Sequence, residues 1–361
     1  MSARSELASP AARAAATWCT HGDLPAPARA EGLLLISPLG DTAVPLGPDA
    51  LELAGATLAQ AGLAAADRVV VALNNDGDLA GALLAQAAAG VAGAAAAAGP
   101  RGRMRLFQTL RALGATVLVA TPTGAMDLLA RLHLEFLVDP LDLGLRRILL
   151  TGEIASPGTH RHLAAEFDAE VVEVYTDPVR GVPVATARDG LLEPVRPGLL
   201  GLAPLTADTL LAPPYPVGPA ELVSTGPQGI TRTGQVVTLG EEAGAIPVPT
   251  HTVGDHLLVR GRWLPLSRLT QAISRIDGIG HWELIVARTG TLDQATLRVA
   301  FSRASLLRNP MWTRRIKQAV AAVTPVAIEV TVAELVVDGV RPPTVTDRRG
   351  QHLGPRRAEV G

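Results

Sequence analysis

The chain has 361 residues, 48% hydrophobic and 18% charged, a balance that suits more than one packed domain and excludes intrinsic disorder. A formal net charge of −2 and an aromatic share of 3% supply neither the basic surface nor the stacking platforms of an electrostatic nucleic-acid binder. One cysteine, Cys19, excludes an intramolecular disulfide and a thiolate metal cage. Lys317 is the one lysine, so any mechanism that needs a lysine has a single candidate.

Residues 1–31 read as a weakly helical lead that ends in a proline-containing stretch. Residues 32–36 are a short apolar run suited to a buried strand, followed by a Gly/Pro-punctuated loop; Asp49 then caps a helix to about residue 61. Residues 68–73 (RVVVAL) predict a strand, 74–78 a polar turn, and 79–89 a helix. A Gly/Ala run leads to Gly99-Pro100. An amphipathic helix over 103–113, a strand over 116–120 and a helix over 124–132 follow. Strands at 147–150 and 171–174 flank a helix at 158–166. The alternation predicts an α/β fold with a doubly wound, mostly parallel sheet. Ligands of such sheets sit at the carboxyl ends of strands, here after residues 36, 73, 120, 150 and 174.

Beyond residue 180 Pro and Gly become dense and strand signals short, at 221–224, 234–239 and 256–260. That predicts an antiparallel or distorted-barrel subdomain. From residue 266 the order is helix (to 276), strand (282–287), strand (296–301), helix (311–323) and strand (326–331), a small αββαβ domain. The expected division is a lead at 1–31, an α/β nucleotide-binding-like domain at 32–180, a β-rich subdomain at 181–260, and a C-terminal α+β domain with tail at 261–361. No charge-free stretch reaches membrane-span length, and residues 1–16 hold no apolar run of signal-peptide length. The expectation is a soluble cytoplasmic protein that engages neither membrane nor nucleic acid.

A resemblance emerges from a collinear series of motifs. Ile148-Leu149-Leu150-Thr151-Gly152-Glu153 resembles the "GGE" turn of adenylate-forming enzymes, and Tyr175 stands where that family has the aromatic of its "YG…TE" motif. Residues 234–239 (GQVVTL), 246–249 (IPVP) and 252–255 (TVGD) resemble "GELVVTTL", "mPliRY" and "RTGD". Residues 259–269 resemble the family's lead-in to its C-terminal domain, and residues 345–349 its closing segment. The chain thus resembles the phenylacetate-CoA-ligase branch of the adenylate-forming (ANL) superfamily, over roughly residues 33–350.

The resemblance implies ATP or AMP with Mg²⁺ as cofactors and a set of nucleotide positions. Ser37, Gly40 and Thr42 match the phosphate loop; Gly152, Glu153, Tyr175 and Thr176 match the adenine crevice; Asp255 matches the ribose aspartate. Adenylation brings two anions together, so it depends on positioned cations and backbone donors. Here the parts are depleted. In the phosphate loop Pro38 removes a donor, Asp41 adds a negative charge, and Val44 replaces the lysine. The Mg²⁺ glutamate position falls on Val179, which leaves Asp177 as a substitute or as a solvated turn acid. No lysine matches the mobile lysine of the C-terminal domain; Arg341 is the nearest cation, bulkier and differently shaped. The hinge before the C-terminal domain is also shortened, since Asp255 runs almost directly into Val259-Arg260-Gly261.

Other polar groups carry ordinary readings. His160 and His162 are two apart on a helix and do not share a face. His251 and His256 flank Asp255; a His-Asp-His metal site is the alternative to the favoured reading of solvated imidazoles in a turn. Arg101, Arg103 and Arg105 with Gly99-Pro100 offer a place for a phosphate, against the favoured reading of solvated arginines at a helix start, and Asn74 to Asp78 read as a polar turn. The favoured expectation is a degenerate phenylacetate-CoA-ligase-like protein, unable to adenylate carboxylates, acting as a binding or structural protein through an unidentified protein partner or as the homodimer that the resemblance implies. The alternative is an active AMP-forming acyl- or aryl-CoA ligase with relocated catalytic residues.

Overall fold

The computed structural model describes residues 18–20, 34–36, 43–46, 49–75, 80–99, 102–226, 229–241, 244–307, 309–334, 336–337 and 339–355. The chain opens with β1 (Trp18–Cys19), β2 (Leu34–Ile36) and β3 (Ala43–Pro45). Residues Trp18 and Cys19, expected in a helical lead, instead form a strand parallel to Ile230–Thr231. The α/β part follows as α1 (Ala50–Gln60), β4 (Arg68–Val71), α2 (Gly81–Ala89), β5 (Ala94–Ala97), α3 (Arg103–Leu113), β6 (Val117–Ala120), α4 (Pro122–Arg131), β7 (Arg147–Leu150), α5 (Pro157–Phe167) and β8 (Glu170–Asp177). Sequence reasoning missed β5, because its four alanines carry no strand propensity. Pairing with β4 along Arg68–Val71 makes it a strand.

The main sheet has eight strands. Its order continues through β9 (Val182–Arg188), β10 (Leu191–Pro194) and, further along the chain, Ile246–Pro247. β4 to β8 are mutually parallel, and β8 turns antiparallel against β9. The sheet thus runs past residue 180, where the composition changes. Alternation along the strands sorts side chains to two cores. Val69, Val71, Val117, Val119 and Leu149 face α1 and α2, whereas Val70, Leu118, Ile148 and Leu150 face α3, α4 and α5. This is the doubly wound arrangement that the alternation of elements predicts.

The β-rich part contributes a second sheet of β11 (Leu200–Ala203), β12 (Gly218–Gly226) and β13 (Gly229–Leu239), with β1 on its edge. β14 (Ile246–Pro247) returns to the main sheet, and β15 (His251–Thr252) pairs with β13. A hairpin of β16 (His256–Val259) and β17 (Arg262–Pro265) turns at Arg260-Gly261, with φ 51° and 68°. Such a two-residue turn matches strand twist but strains a non-glycine residue.

The C-terminal part is α6 (Leu266–Ser274), β18 (Ile279–Thr289), β19 (Leu292–Phe301), α7 (Ala304–Leu307), α8 (Pro310–Ala321), β20 (Ile328–Val332) and β21 (Thr344–Asp347). Its sheet order is β20-β19-β18-β21, over a core that includes Trp282, Leu297, Phe301 and Ile316. β21 is a strand that the sequence pattern did not reveal. The tail then returns to β15: Thr252 N–H donates to Gln351 O at 2.6 Å and Leu353 N–H to Thr252 O at 2.9 Å. Among the described residues no helix is long and apolar enough to cross a membrane.

Candidate functional site

Two hollows lie at the carboxyl ends of the parallel strands. The first stands where β7 and β8 end and is lined by Gly152, Glu153, Glu173, Tyr175, Thr176 and Gln235, among others. Four expected nucleotide positions (Gly152, Glu153, Tyr175, Thr176) therefore meet. β8 runs on through Asp177, so Tyr175 and Thr176 belong to a strand and not to the turn that the sequence predicts. Gly152 takes φ 82°, a left-handed conformation that favours glycine.

This hollow is closed from within. The buried Tyr175 hydroxyl donates to Gln235 Oε1 at 2.8 Å, and Thr151 Oγ1 lies 2.7 Å from Thr176 Oγ1. Glu153 reaches the start of α4, where Thr123 N–H and Oγ1–H donate to its two oxygens at 2.9 and 2.7 Å. A carboxylate there satisfies helix donors that would otherwise have no partner. The space left is about 20 Å³, room for one water; ligand pockets run to about 300–1,000 Å³.

Burial also sets the protonation of the wall. It pushes the Glu153 carboxyl up against the pull of the Thr123 hydrogen bonds, and the charge of Asp293 from the C-terminal part adds to the rise. Burial raises Glu173 to about 7 and lowers its neighbour His160, whose Nε2 lies 3.5 Å from Glu173 Oε2. The Tyr175 phenol is pushed well above its ordinary value by burial, with the charge of Asp177 adding.

The remaining expected positions fall elsewhere. Ser37, Gly40 and Thr42 lie outside the described residues. Val179, at the Mg²⁺ position, is buried and apolar. Asp177 is no solvated turn acid: it is fully buried, accepts from Ser224 Oγ and from Val179 N at 2.9 Å, and pairs with Arg180. Asp255 is not among the residues lining the small hollow. Its carboxylate accepts from Ser267 N at 2.9 Å and Ser267 Oγ at 2.5 Å, which caps α6. Arg341 and Lys317 are both exposed. His251 Nδ1 bonds Thr250 Oγ1 at 2.8 Å, and no group of three or more His, Cys, Asp and Glu could hold a metal ion among the described residues.

The second hollow is about 420 Å³ and lies beyond β4 and β6, walled by the starts of α3 and α4 and roofed by the β16–β17 turn. Its lining holds four arginines, Arg103, Arg131, Arg260 and Arg262, against one carboxylate, Asp127. Asp127 pairs with Arg103 at 3.3 Å and Arg131 at 3.5 Å. The free N–H groups at the start of α3, behind Gly102 at φ 81°, add positive potential. Arg260 is held in place by its Nε bond to Asp293 O at 2.6 Å. The site can hold an anion of some size.

Sequence reasoning weighed Arg103 and Asn74 as solvated groups; both line this hollow. It missed Arg131, Arg260 and Arg262. The Arg-Gly turn between two strand-like runs was the one signal that pointed to Arg260.

No protein-family model and no curated protein matches the sequence. Solved structures do. The chain matches 2-hydroxyisobutyryl-CoA ligase, in complex with 2-HIB-AMP and CoA in the thioesterification state, at TM-score 0.67 and 17% identity, over 85% of this chain and 72% of that one. Against the same ligase in its postadenylation state the TM-score is 0.50, at 16% identity over 88% and 74%. It matches a malonyl-CoA ligase bound to methylmalonyl-CoA and AMP at TM-score 0.59 and 13% identity, over 84% and 71%. An amide bond synthetase, McbA from Marinactinospora thermotolerans, matches at TM-score 0.60 and 15% identity, over 82% of this chain and 63% of that one. The fold is that of adenylate-forming ligases.

Proposed function

We propose that this chain, built on the adenylate-forming ligase fold, does not activate carboxylates and instead binds a phosphorylated ligand between its α/β and C-terminal parts. The observation that carries the reading is the closed first hollow. About 20 Å³ beside Gly152, Tyr175 and Thr176 does not admit an adenylate, and the closure is stabilised by hydrogen bonds among the wall's own side chains. The chemistry agrees. Val179 offers no side-chain oxygen to Mg²⁺, Asp177 is held by its own turn, and the one lysine, Lys317, lies on α8. Losing one donor of this kind costs about 3–4 kcal/mol in a transition state that concentrates negative charge.

The second hollow supports the positive half of the reading. Its volume falls in the range of ligand sites, and its arginine excess favours phosphate. The chain matches the thioesterification state of a ligase at a higher TM-score, 0.67, than the postadenylation state of the same enzyme, 0.50.

Pyrophosphate exchange over a panel of carboxylic acids tests the first half. Exchange at background for every acid is expected; acid-dependent acyl-AMP formation would establish an active ligase and sink the reading. Calorimetric titration with CoA, AMP and pyrophosphate in turn tests the second half. Binding of at least one, weakened about tenfold by Arg103→Ala, is expected. No heat from any of the three would remove the ligand-binding claim and leave the closed crevice standing.

A further inference from the structure

The first turn beyond α4 is a π-helical turn, Leu132–Phe136, followed by Leu137 at φ 51° and a 3₁₀ turn, Pro140–Leu143. π-turns and left-handed leucines are rare and costly, and both concentrate where backbone conformation serves a site. Their effect on the side chains is plain. Leu132 and Pro140 are buried, and Phe136 stacks on Phe107 with ring centroids 4.8 Å apart. His133 Nε2 lies 3.2 Å from Glu166 on α5. With those anchors set, Leu134, Leu137 and Leu141 are left 80%, 83% and 53% exposed within eight residues. Three open leucines on a pinned backbone are not explained by the packing of this chain.

The charges beside them are mostly acidic. Glu135, Asp139 and Asp142 are exposed. The one arginine in the stretch, Arg131, is paired with Glu135 and Asp127, and His133 faces Glu166. Asp139 also accepts from Leu141 N at 3.0 Å, which fixes the second turn.

We infer that this acid-rimmed leucine ledge is a docking surface for a basic amphipathic helix of a partner protein. A helix with leucines on one face and Lys or Arg beside them meets both features: its apolar side covers the three leucines and its cations meet the carboxylates. A second copy docking the same ledge would bring like charges together, and an anionic bilayer would be repelled. The backbone anchors mean that little ordering is left for binding to supply. The inference stands whether or not the chain adenylates.

The test uses the full chain and three probes: a Leu/Lys amphipathic helical peptide of about 18 residues, its Leu/Glu counterpart, and phosphatidylglycerol vesicles. Fluorescence anisotropy should show saturable binding of the Leu/Lys peptide alone. The triple variant Leu134→Ser, Leu137→Gly, Leu141→Ser should weaken it by about tenfold or more. Glu135→Gln with Asp142→Asn should weaken it less, and chiefly at low salt. Absence of binding, equal binding by the triple variant, or preference for the Leu/Glu peptide or the vesicles would each overturn the inference. Urea denaturation of the triple variant guards against a structural role. An unchanged or raised midpoint is expected, since glycine relieves the backbone at residue 137; a lowered midpoint would make the leucines structural and overturn the proposal.

Discussion

Two hollows open toward the same edge of one sheet, yet one has shut and the other has not. Around Gly152 the polar groups differ in kind: a phenol meets an amide, two threonines meet each other, and a carboxylate meets the donors of a helix start. Each finds a partner within the chain, so closing the space leaves few buried groups unsatisfied. Around Arg103 the groups are mostly of one kind. Four arginines and one carboxylate line it, with Arg103 and Arg131 paired to Asp127 and Arg131 also to Glu135, and collapsing these cations onto one another would desolvate like charges. Complementary walls close a site, and walls of like charge hold one open for a ligand of the opposite sign.

The sharpest way to break this contrast is at Asp177, which follows the lining residues Tyr175 and Thr176 on β8 and has a fully buried carboxylate. Asp177→Ala leaves Ser224, Val179 N and the Arg180 guanidinium without their acceptor. The expected loss is about 3–5 kcal/mol, read as a lower urea midpoint.

Glu173 comes next. Its carboxyl is raised from 4.5 to about 7 by burial, so the folded state holds the proton more tightly than the unfolded chain. The associated stability is fully present below pH 4.5, declines between 4.5 and about 7, and is gone above. At about 1.4 kcal/mol for each pH unit, the gap corresponds to about 3 kcal/mol. Glu173→Gln should therefore be more stable than the parent at pH 8 by up to about 3 kcal/mol, and close to it at pH 4. Parallel pH dependence of the two proteins in urea titrations would refute the assignment.

Tyr175→Phe should cost about 1–2 kcal/mol, because Gln235 Oε1 stays buried without its donor. The smallest effect on stability is expected for Arg260→Gly in the open hollow. Loss of the bond to Asp293 O and relief of the left-handed backbone oppose each other. The net change should stay within about 1 kcal/mol, while affinity for a phosphorylated ligand falls.

Much was legible along the chain. The helix over 103–113 and the strand over 147–150 stand where periodicity places them, as α3 and β7, because their apolar spacing is local information. The meeting of Gly152, Glu153, Tyr175 and Thr176 was legible too, since strand ends of a parallel sheet converge. Other features were not. β5 is four alanines that became a strand by lying beside β4, and β21 formed by pairing with β18. The bonds that Ser267 gives to Asp255, twelve residues back in the chain, were not legible either. Arg131 lies far along the chain from Arg260 and Arg262, and beyond the Arg-Gly turn nothing in the local sequence announces a shared cavity.

The order of residues thus settled the periodicities, the turn chemistry and the presence of one lysine, Lys317. Those are properties of composition and near neighbours. Whether a crevice is open, which carboxylate already has partners, and where arginines gather depend on residues brought together by the fold, such as Asp177 with Ser224, and Arg131 and Arg260, which line one cavity. Solvation and pairing are fixed by such contacts, and they came into being when the two parts of the chain packed together.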